Sequence, residues 1–260
     1  SYTTSKYVIP YISKFKTIDS NTKVLEIGCG EGGNLKPFVE LGCQCVGIDL
    51  NEQQIRNAEL YFSEDEHCAN TKFIYSDIYD IDPNEHQYDV VMLHNVIEHI
   101  HNQERFMTFV KGFMKPDGVI FFAFPPWFMP FGGHQQICRK RLCRIPFIHL
   151  LPVNIYRGYL HLCGEPECTV EELLSIRRAG TSTESFEAIC RSTGLAILDR
   201  TLWLINPHYK VKFSLRPRLL PQSLSTSRWL RNHLSSSCFY ILSPEGSGNI
   251  EARTGGHNSK

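Results

Sequence analysis

Between Lys23 and Phe124 the chain presents five short apolar runs separated mostly by amphipathic or polar stretches, and that rhythm leaves few folds open. The runs are Lys23–Gly28 (KVLEIG), Gln44–Asp49 (QCVGID), Thr71–Asp77 (TKFIYSD), Tyr88–Asn95 (YDVVMLHN) and Gly118–Phe124 (GVIFFAF). Within them apolar residues follow one another instead of alternating with polar ones, as in strands covered on both faces. Helices are expected over residues 33–41, 52–65 and 103–114. Strands joined by crossover helices build a parallel sheet, and right-handed crossovers wind it from both sides. The reading is therefore α/β, a doubly wound and mostly parallel sheet.

The flanks extend this frame. Tyr7, Val8, Tyr11, Ile12 and Phe15 have helical spacing, with Pro10 near the start of the segment. After Pro125 the rhythm breaks. Residues 126–182 form a helical and loop insert rich in aromatic residues and prolines, with a basic cluster at Arg139, Lys140, Arg141 and Arg144. A helix from Thr183 and a strand over 195–205 follow, then a Pro-, Ser- and Arg-rich stretch over 206–233 and a last strand over 234–243. These additions make seven strands in one domain, residues 1–243. The polar, Gly-rich residues 244–260 read as a flexible tail.

Several classes of function drop out on composition. Lys+Arg and Asp+Glu both number 27, so a strongly basic nucleic-acid binder is not expected, with a local basic patch left open. No apolar run reaches the roughly 20 residues that cross a bilayer, so stable membrane insertion is not expected. Ten scattered cysteines, several inside apolar runs, read as reduced thiols of a cytoplasmic protein. A homodimer is left open.

Chemistry concentrates at the ends of the first three runs. Gly28, Gly30 and Gly33 fit G-x-G-x-x-G between a strand and a helix, where backbone can approach a ligand and a helix N-terminus can face it. Asp49 ends the second strand 19 positions after Gly30 (49 − 30), placed to accept two ribose hydroxyls. Nicotinamide, flavin and other adenosine cofactors all use such a turn. Glu26 and Asp77 choose among them: a carboxylate two residues before the turn repels a pyrophosphate and attracts a cationic ligand. Three acids at three strand ends suit a nucleoside carrying a sulfonium and an ammonium.

Here the chain resembles the class I S-adenosylmethionine-dependent methyltransferases, with their seven-stranded Rossmann-like fold. VLEIGCGEGG is similar to that family's first motif, VGIDL to its second and SDIYD to its adenine-side motif; YDVVMLHNVIEHI and MKPDGVIFFAFP are similar to its fourth and fifth strand segments. The resemblance implies S-adenosyl-L-methionine as cofactor, methyl transfer to an oxygen or nitrogen, and a small-molecule acceptor. It also implies roles. Glu26, Gly28, Cys29 and Gly30 would cradle the methionine part, Asp49 and Leu50 the ribose, and Asp77 with Ile78 the adenine. The backbone at His94 would lie beside the methionine ammonium. The Glu-His pair after the fourth strand resembles the quinone-biosynthesis O-methyltransferases. A nicotinamide-dependent oxidoreductase and a non-catalytic cofactor-binding module are the alternatives.

His134, beyond strand five and after two glycines, is the first candidate for the base, with a pKa near the working range; His99 is the second. The glycines would let His134 adjust, and Gln135 would help hold the acceptor. No metal is expected. His94, Glu98, His99 and His101 miss the zinc-hydrolase spacings, and the C-x4-C pairs Cys138/Cys143 and Cys163/Cys168 read as packed thiols. The insert 126–182 is expected to form a lid, with Trp127, Phe128, Phe131 and Tyr156 as apolar walls and Arg139, Arg141 or Arg144 holding an anionic group.

Overall fold

The computed structural model describes residues 1–64, 68–84 and 86–246. Its strands are Lys23–Ile27 (β1), Gln44–Asp49 (β2), Thr71–Tyr75 (β3), Tyr88–His94 (β4), Met114–Phe124 (β5), Leu195–Ile205 (β6), Arg218–Leu219 (β7) and Ser237–Pro244 (β8). They form one sheet in the order β3-β2-β1-β4-β5-β8-β6-β7. The first five strands are mutually parallel, and β8 runs antiparallel between β5 and β6. Eight strands replace the expected seven. The extra one, β7, pairs only Arg218 and Leu219 with the end of β6, and two residues are too few to show a strand period in sequence.

The helices are Ile9–Ile12 (α1), Lys36–Glu40 (α2), Glu52–Ser63 (α3), Gln103–Val110 (α4), Val153–Leu162 (α5), Glu167–Ala179 (α6), Thr183–Ser192 (α7), Tyr209–Phe213 (α8), Gln222–Ser225 (α9) and Arg228–Leu234 (α10). The N-terminal helix is interrupted: Thr4–Val8 is π-helical, directly before α1 and its Pro10, which has no N–H to donate to the ladder. The helix expected over 33–41 shrinks to α2, because residues 32–35 are spent on a tight turn closed by Leu35 N–H to Gly32 O. No described helix is long and apolar enough to cross a membrane. Residues 247–260, most of the expected tail, lie outside the described residues.

Strand alternation divides the core into two layers. Leu25, Ile27, Val91, Leu93, Ile120 and Phe122 face one side, with Phe106, Met107 and Val110 of α4 and Phe186 and Cys190 of α7. Val24, Val90, Met92, Val119, Phe121 and Ala123 face the other, with Phe38 and Val39 of α2 and Tyr11 and Ile12 of α1. Each fully buried side chain of this size contributes about 1.5–3 kcal/mol through water exclusion. The order reverses at β1, from which β2 and β3 lie to one side and β4 and β5 to the other. In such sheets that reversal opens a crevice at the carboxyl ends of the strands.

The insert builds its own small core. Cys138, Cys143, Ile148, Tyr156, Leu160, Val170, Leu173 and Leu174 pack together apart from both sheet layers. Tyr156 is therefore not a cavity wall, contrary to expectation.

Candidate active site

The turn after β1 passes over the sheet's carboxyl edge. Gly28 has φ +70°, and a Cβ there would sit 2.5 Å from Val96 Cγ2, so the chain can pass only as glycine. The close-packing role expected of a third glycine falls on Gly32 (φ +75°, against Phe62 and Phe73), whereas Gly33 faces open space. Gly30 donates its N–H to Asp49 Oδ2 at 2.8 Å, and Asn51 donates to Asp49 Oδ1 at 2.8 Å. One carboxylate thus aligns both loops and keeps free lone pairs for a ligand.

A cavity of about 190 Å³ opens beside this turn, lined by Gly28, Asp49, Leu50, Ser76, Asp77, Ile78, Tyr79 and Val96 among others. Asp77 caps the following helical turn, accepting Tyr79 N–H at 3.0 Å, and its neighbour Ile78 supplies an apolar floor. Asp49, Leu50, Asp77 and Ile78 therefore meet around one space, as the resemblance implies. Cys29 differs. Its buried thiol packs against Gly47 and donates to Gly30 O at 3.5 Å, and burial pushes the thiol's pKa up, so it braces the turn from beneath and does not line the cavity.

A second cavity, about 420 Å³, lies farther along the same edge, between Gly33, Asn34, His94, Asn95, Asn206 and His208. His94 ends β4, while Asn206 and His208 follow β6, whose end lies on the same rim. Asn34 links this cavity to Glu26: its Nδ2 donates to Glu26 Oε1 at 2.8 Å, and its Oδ1 accepts from Thr4 Oγ1 at 3.1 Å. Glu26 is 1% exposed and its Oε2 has no partner. Burial pushes its pKa up to about 8, so the group expected as a standing carboxylate is mostly protonated at neutral pH. Burial, with His208 close by, pulls His94 down to about 4.

The two expected base candidates meet each other but line neither cavity. The rings of His99 and His134 are 5.2 Å apart, and His134 Nε2 is 3.8 Å from Glu98 Oε1. Glu98 is 3% exposed with both carboxyl oxygens unpartnered, and burial raises it to about 8. One ligand atom from each of Glu98, His99 and His134 lies within 4.8 Å of the others, a spacing that suits a divalent cation or a shared proton. His134 has a left-handed backbone, φ 55°. Burial lowers its pKa to about 4, not the working range expected of it. Nor are its glycines hinges: Cβ atoms at Gly132 and Gly133 would meet Trp127 O and His149 at 2.2 and 2.3 Å. Gln135 is fully buried, braces the loop through Pro130 O and Ile145 O, and lines neither cavity. His101 bonds Ser175 and stands outside the cluster.

Sequence reasoning missed Asn34, Asn206 and His208. The signal was a polar Asn-Pro-His turn leaving a strand at the carboxyl rim, about 110 residues from the His94 it approaches. Of the insert, Trp127 and Phe128 line a third cavity of about 680 Å³ with Arg177, Glu184, Trp229 and His233; Arg139, Arg141 and Arg144 line none of these three cavities.

This sheet order, with acids at successive strand ends around a glycine turn, defines the class I methyltransferase fold. The chain belongs to the methyltransferase-domain family, whose model matches residues 4–140. Among curated relatives, the ubiquinone biosynthesis O-methyltransferase of Rhodopseudomonas palustris (strain BisB5) is 36% identical over 104 residues, 40% of each chain. That of Rickettsia felis is 30% identical over 114 residues, 44% of this chain and 46% of its own. The match thus spans less than half the length of these relatives. Among solved structures, magnesium protoporphyrin IX methyltransferase of Synechocystis with bound SAH aligns with TM-score 0.54 and 13% identity over 93% of this chain and 81% of its own. Rickettsia typhi PKMT2 in complex with AdoHcy aligns with TM-score 0.54 and 17% identity over 91% and 52%.

Proposed function

We propose that the protein transfers the sulfonium methyl of S-adenosyl-L-methionine to a hydroxyl oxygen of a small-molecule acceptor in the cytoplasm. The observation that carries this is a pair of cavities on either side of the glycine turn, both lined by residues at the strands' carboxyl ends. The first offers Asp49 and Asp77 to a nucleoside, and the second is reached from Glu26 through Asn34. The adenosine would occupy the first, with Asp49 on the ribose hydroxyls and Ile78 under the base. The methionine ammonium would lie toward Glu26, and the acceptor toward His94, Asn206 and His208.

Methyl transfer from a sulfonium is an in-line displacement with a good leaving group. The protein must align the nucleophile, exclude water and accept the hydroxyl proton. His134, backed by Glu98 and with His99 beside it, lines neither cavity, so it would take that proton only from an acceptor that extends beyond the second cavity to the turn after β4. Ionisation of Glu98 beside the ring would raise the basicity of His134, so the two act as one unit. The unpartnered Glu98 oxygens and the 4.8 Å grouping favour a second reading of the same three residues, a divalent cation that orients the acceptor hydroxyl. The names of the curated relatives, ubiquinone biosynthesis O-methyltransferases, support a quinone-precursor-like acceptor.

The test is thermal stabilisation followed by turnover. S-adenosylhomocysteine at 100 times its dissociation constant should stabilise the fold by about 2.7 kcal/mol, and NAD should not. Labelled cofactor with a panel of small phenols and catechols should then yield a methylated product. Stabilisation by NAD and none by S-adenosylhomocysteine would overturn the assignment. Turnover that depends on added magnesium and fails with chelator would select the cation reading.

A further inference from the structure

The insert holds a second group of chemically active side chains, remote in kind from the cofactor edge. Cys138 and Cys143 are fully buried, Glu165 is 5% exposed, and one ligand atom of each lies within 4.8 Å of the other two. Cys163 neighbours Cys143 but lies outside that grouping. Of the two C-x4-C pairs in the sequence, the first thus joins the group whole, while Cys168 is exposed in the first turn of α6.

We propose that Cys138, Cys143 and Glu165 bind a zinc ion that staples the insert, with water completing the tetrahedron. Zinc takes sulfur and carboxylate ligands tetrahedrally, with Zn–S bonds of about 2.3 Å and hence S···S edges of about 3.8 Å. With a Zn–O bond of about 2.0 Å the S···O edges are about 3.5 Å, so the observed grouping needs to contract by no more than about 1.3 Å to reach that shape. On coordination each ligating thiol gives up its proton to solvent, leaving thiolates on the metal.

Three features around the group fit a site carrying negative charge. The backbone N–H groups of Arg139 and Lys140 both point at Glu165, at 3.0 and 2.7 Å to its two carboxyl oxygens, fixing the carboxylate's direction. Arg144 folds back, its Nε donating to Cys138 O at 2.7 Å. Lys140 and Arg144 act electrostatically on Glu165 and Cys138 respectively. The basic run that lines no cavity thereby acquires a role, as counter-charge to thiolates. The local architecture also calls for a staple. From Gln135 to Leu150 the chain makes only single 3₁₀ turns, closed over a core of eight buried side chains. Small units of this kind are commonly held by a metal.

Full-length protein, expressed with zinc and dialysed, should retain stoichiometric zinc. Exchange with cobalt should give the visible bands of a tetrahedral site together with near-ultraviolet thiolate-to-cobalt charge transfer. Cys138→Ser/Cys143→Ser should lose the metal and lower Tm, and chelator should lower the wild-type Tm to match. Zinc retained by that double variant but lost from His99→Ala/His134→Ala would assign the metal to the other cluster and overturn the proposal. So would a cobalt spectrum without charge transfer, which decides the matter on wild-type protein even where the cysteine variants fail to fold. Metal-free native protein lacking two titratable thiols would show a disulfide instead, and would equally overturn it.

Discussion

Glu26 couples cofactor binding to a proton, and the size of the coupling follows from its burial. With a pKa of about 8 in the free protein, only about 9% of molecules carry the carboxylate at pH 7, and about 1% at pH 6. A cationic ammonium placed against the unpartnered Oε2 requires the charged form, while Asn34 continues to hold Oε1. The pKa falls in the complex, so binding releases a proton and affinity rises with pH. Between pH 6 and 7 the dissociation constant of S-adenosylhomocysteine should fall nearly tenfold, about 1.4 kcal/mol. The gain should flatten near pH 8, where Glu26 is half ionised and the ligand's own α-amino group, with a pKa of about 7.7–8.0, begins to deprotonate. Calorimetry at pH 6.5 in two buffers of different ionisation enthalpy should count close to one proton released. Glu26→Gln should bind weakly at every pH and without the slope. Wild-type affinity that is flat from pH 6 to 7.5, or a Gln variant that keeps the slope, would refute the reasoning.

Other expectations test separate parts of the edge. Asp49→Ala removes a charged acceptor from the ribose position and the brace to Gly30 and Asn51. Calorimetry should show S-adenosylhomocysteine affinity about 10- to 150-fold weaker, from about 1.5–3 kcal/mol. Gly28→Ala sets a Cβ against Val96 on a left-handed backbone and should cost about 2–4 kcal/mol, read as a Tm lower by several degrees; an unchanged Tm would mean the turn relaxes freely. Methyl transfer should accelerate as pH rises toward about 8, because ionised Glu98 strengthens His134 as a base, and Glu98→Gln should remove that limb of the profile. Tyr156→Phe deletes a buried hydroxyl with no partner and should leave Tm unchanged or higher; a loss above about 1 kcal/mol would reveal a hidden partner.

The parallel half of the sheet was legible because its strands are buried on both faces. Runs such as Val90–Leu93 and Val119–Phe124 can be apolar at every position only there. Asp49 ends its strand as expected, whereas the third strand stops at Tyr75 and Asp77 caps the turn two residues beyond it. What sequence could not supply is burial of polar groups, which depends on elements far apart in the chain. His134 looks like an ordinary surface-loop histidine until His149 and the post-β4 turn close around it. The spacing pattern selects Gly33, whereas the packing of Phe62 and Phe73 puts the constraint on Gly32, one residue earlier. The grouping of Cys138 and Cys143 with Glu165 depends on a turn before α6 that no periodicity announces.

The position of β8 has a consequence for synthesis. This strand, the last in the described chain, sits inside the sheet between β5 and β6. On the ribosome, β1 to β5 can pair as they emerge, at about 5–20 residues per second. Strand β6, made next, has no seat on that sheet until residues 237–244 follow it some seconds later. During that wait the Ile120–Phe124 edge is bare, and bare edges of this kind recruit other strands. A nascent chain stalled before Ser237 is therefore the species to look for in chaperone complexes. A nonsense mutation between residues 206 and 236 should be lost to aggregation, however intact its cofactor residues are.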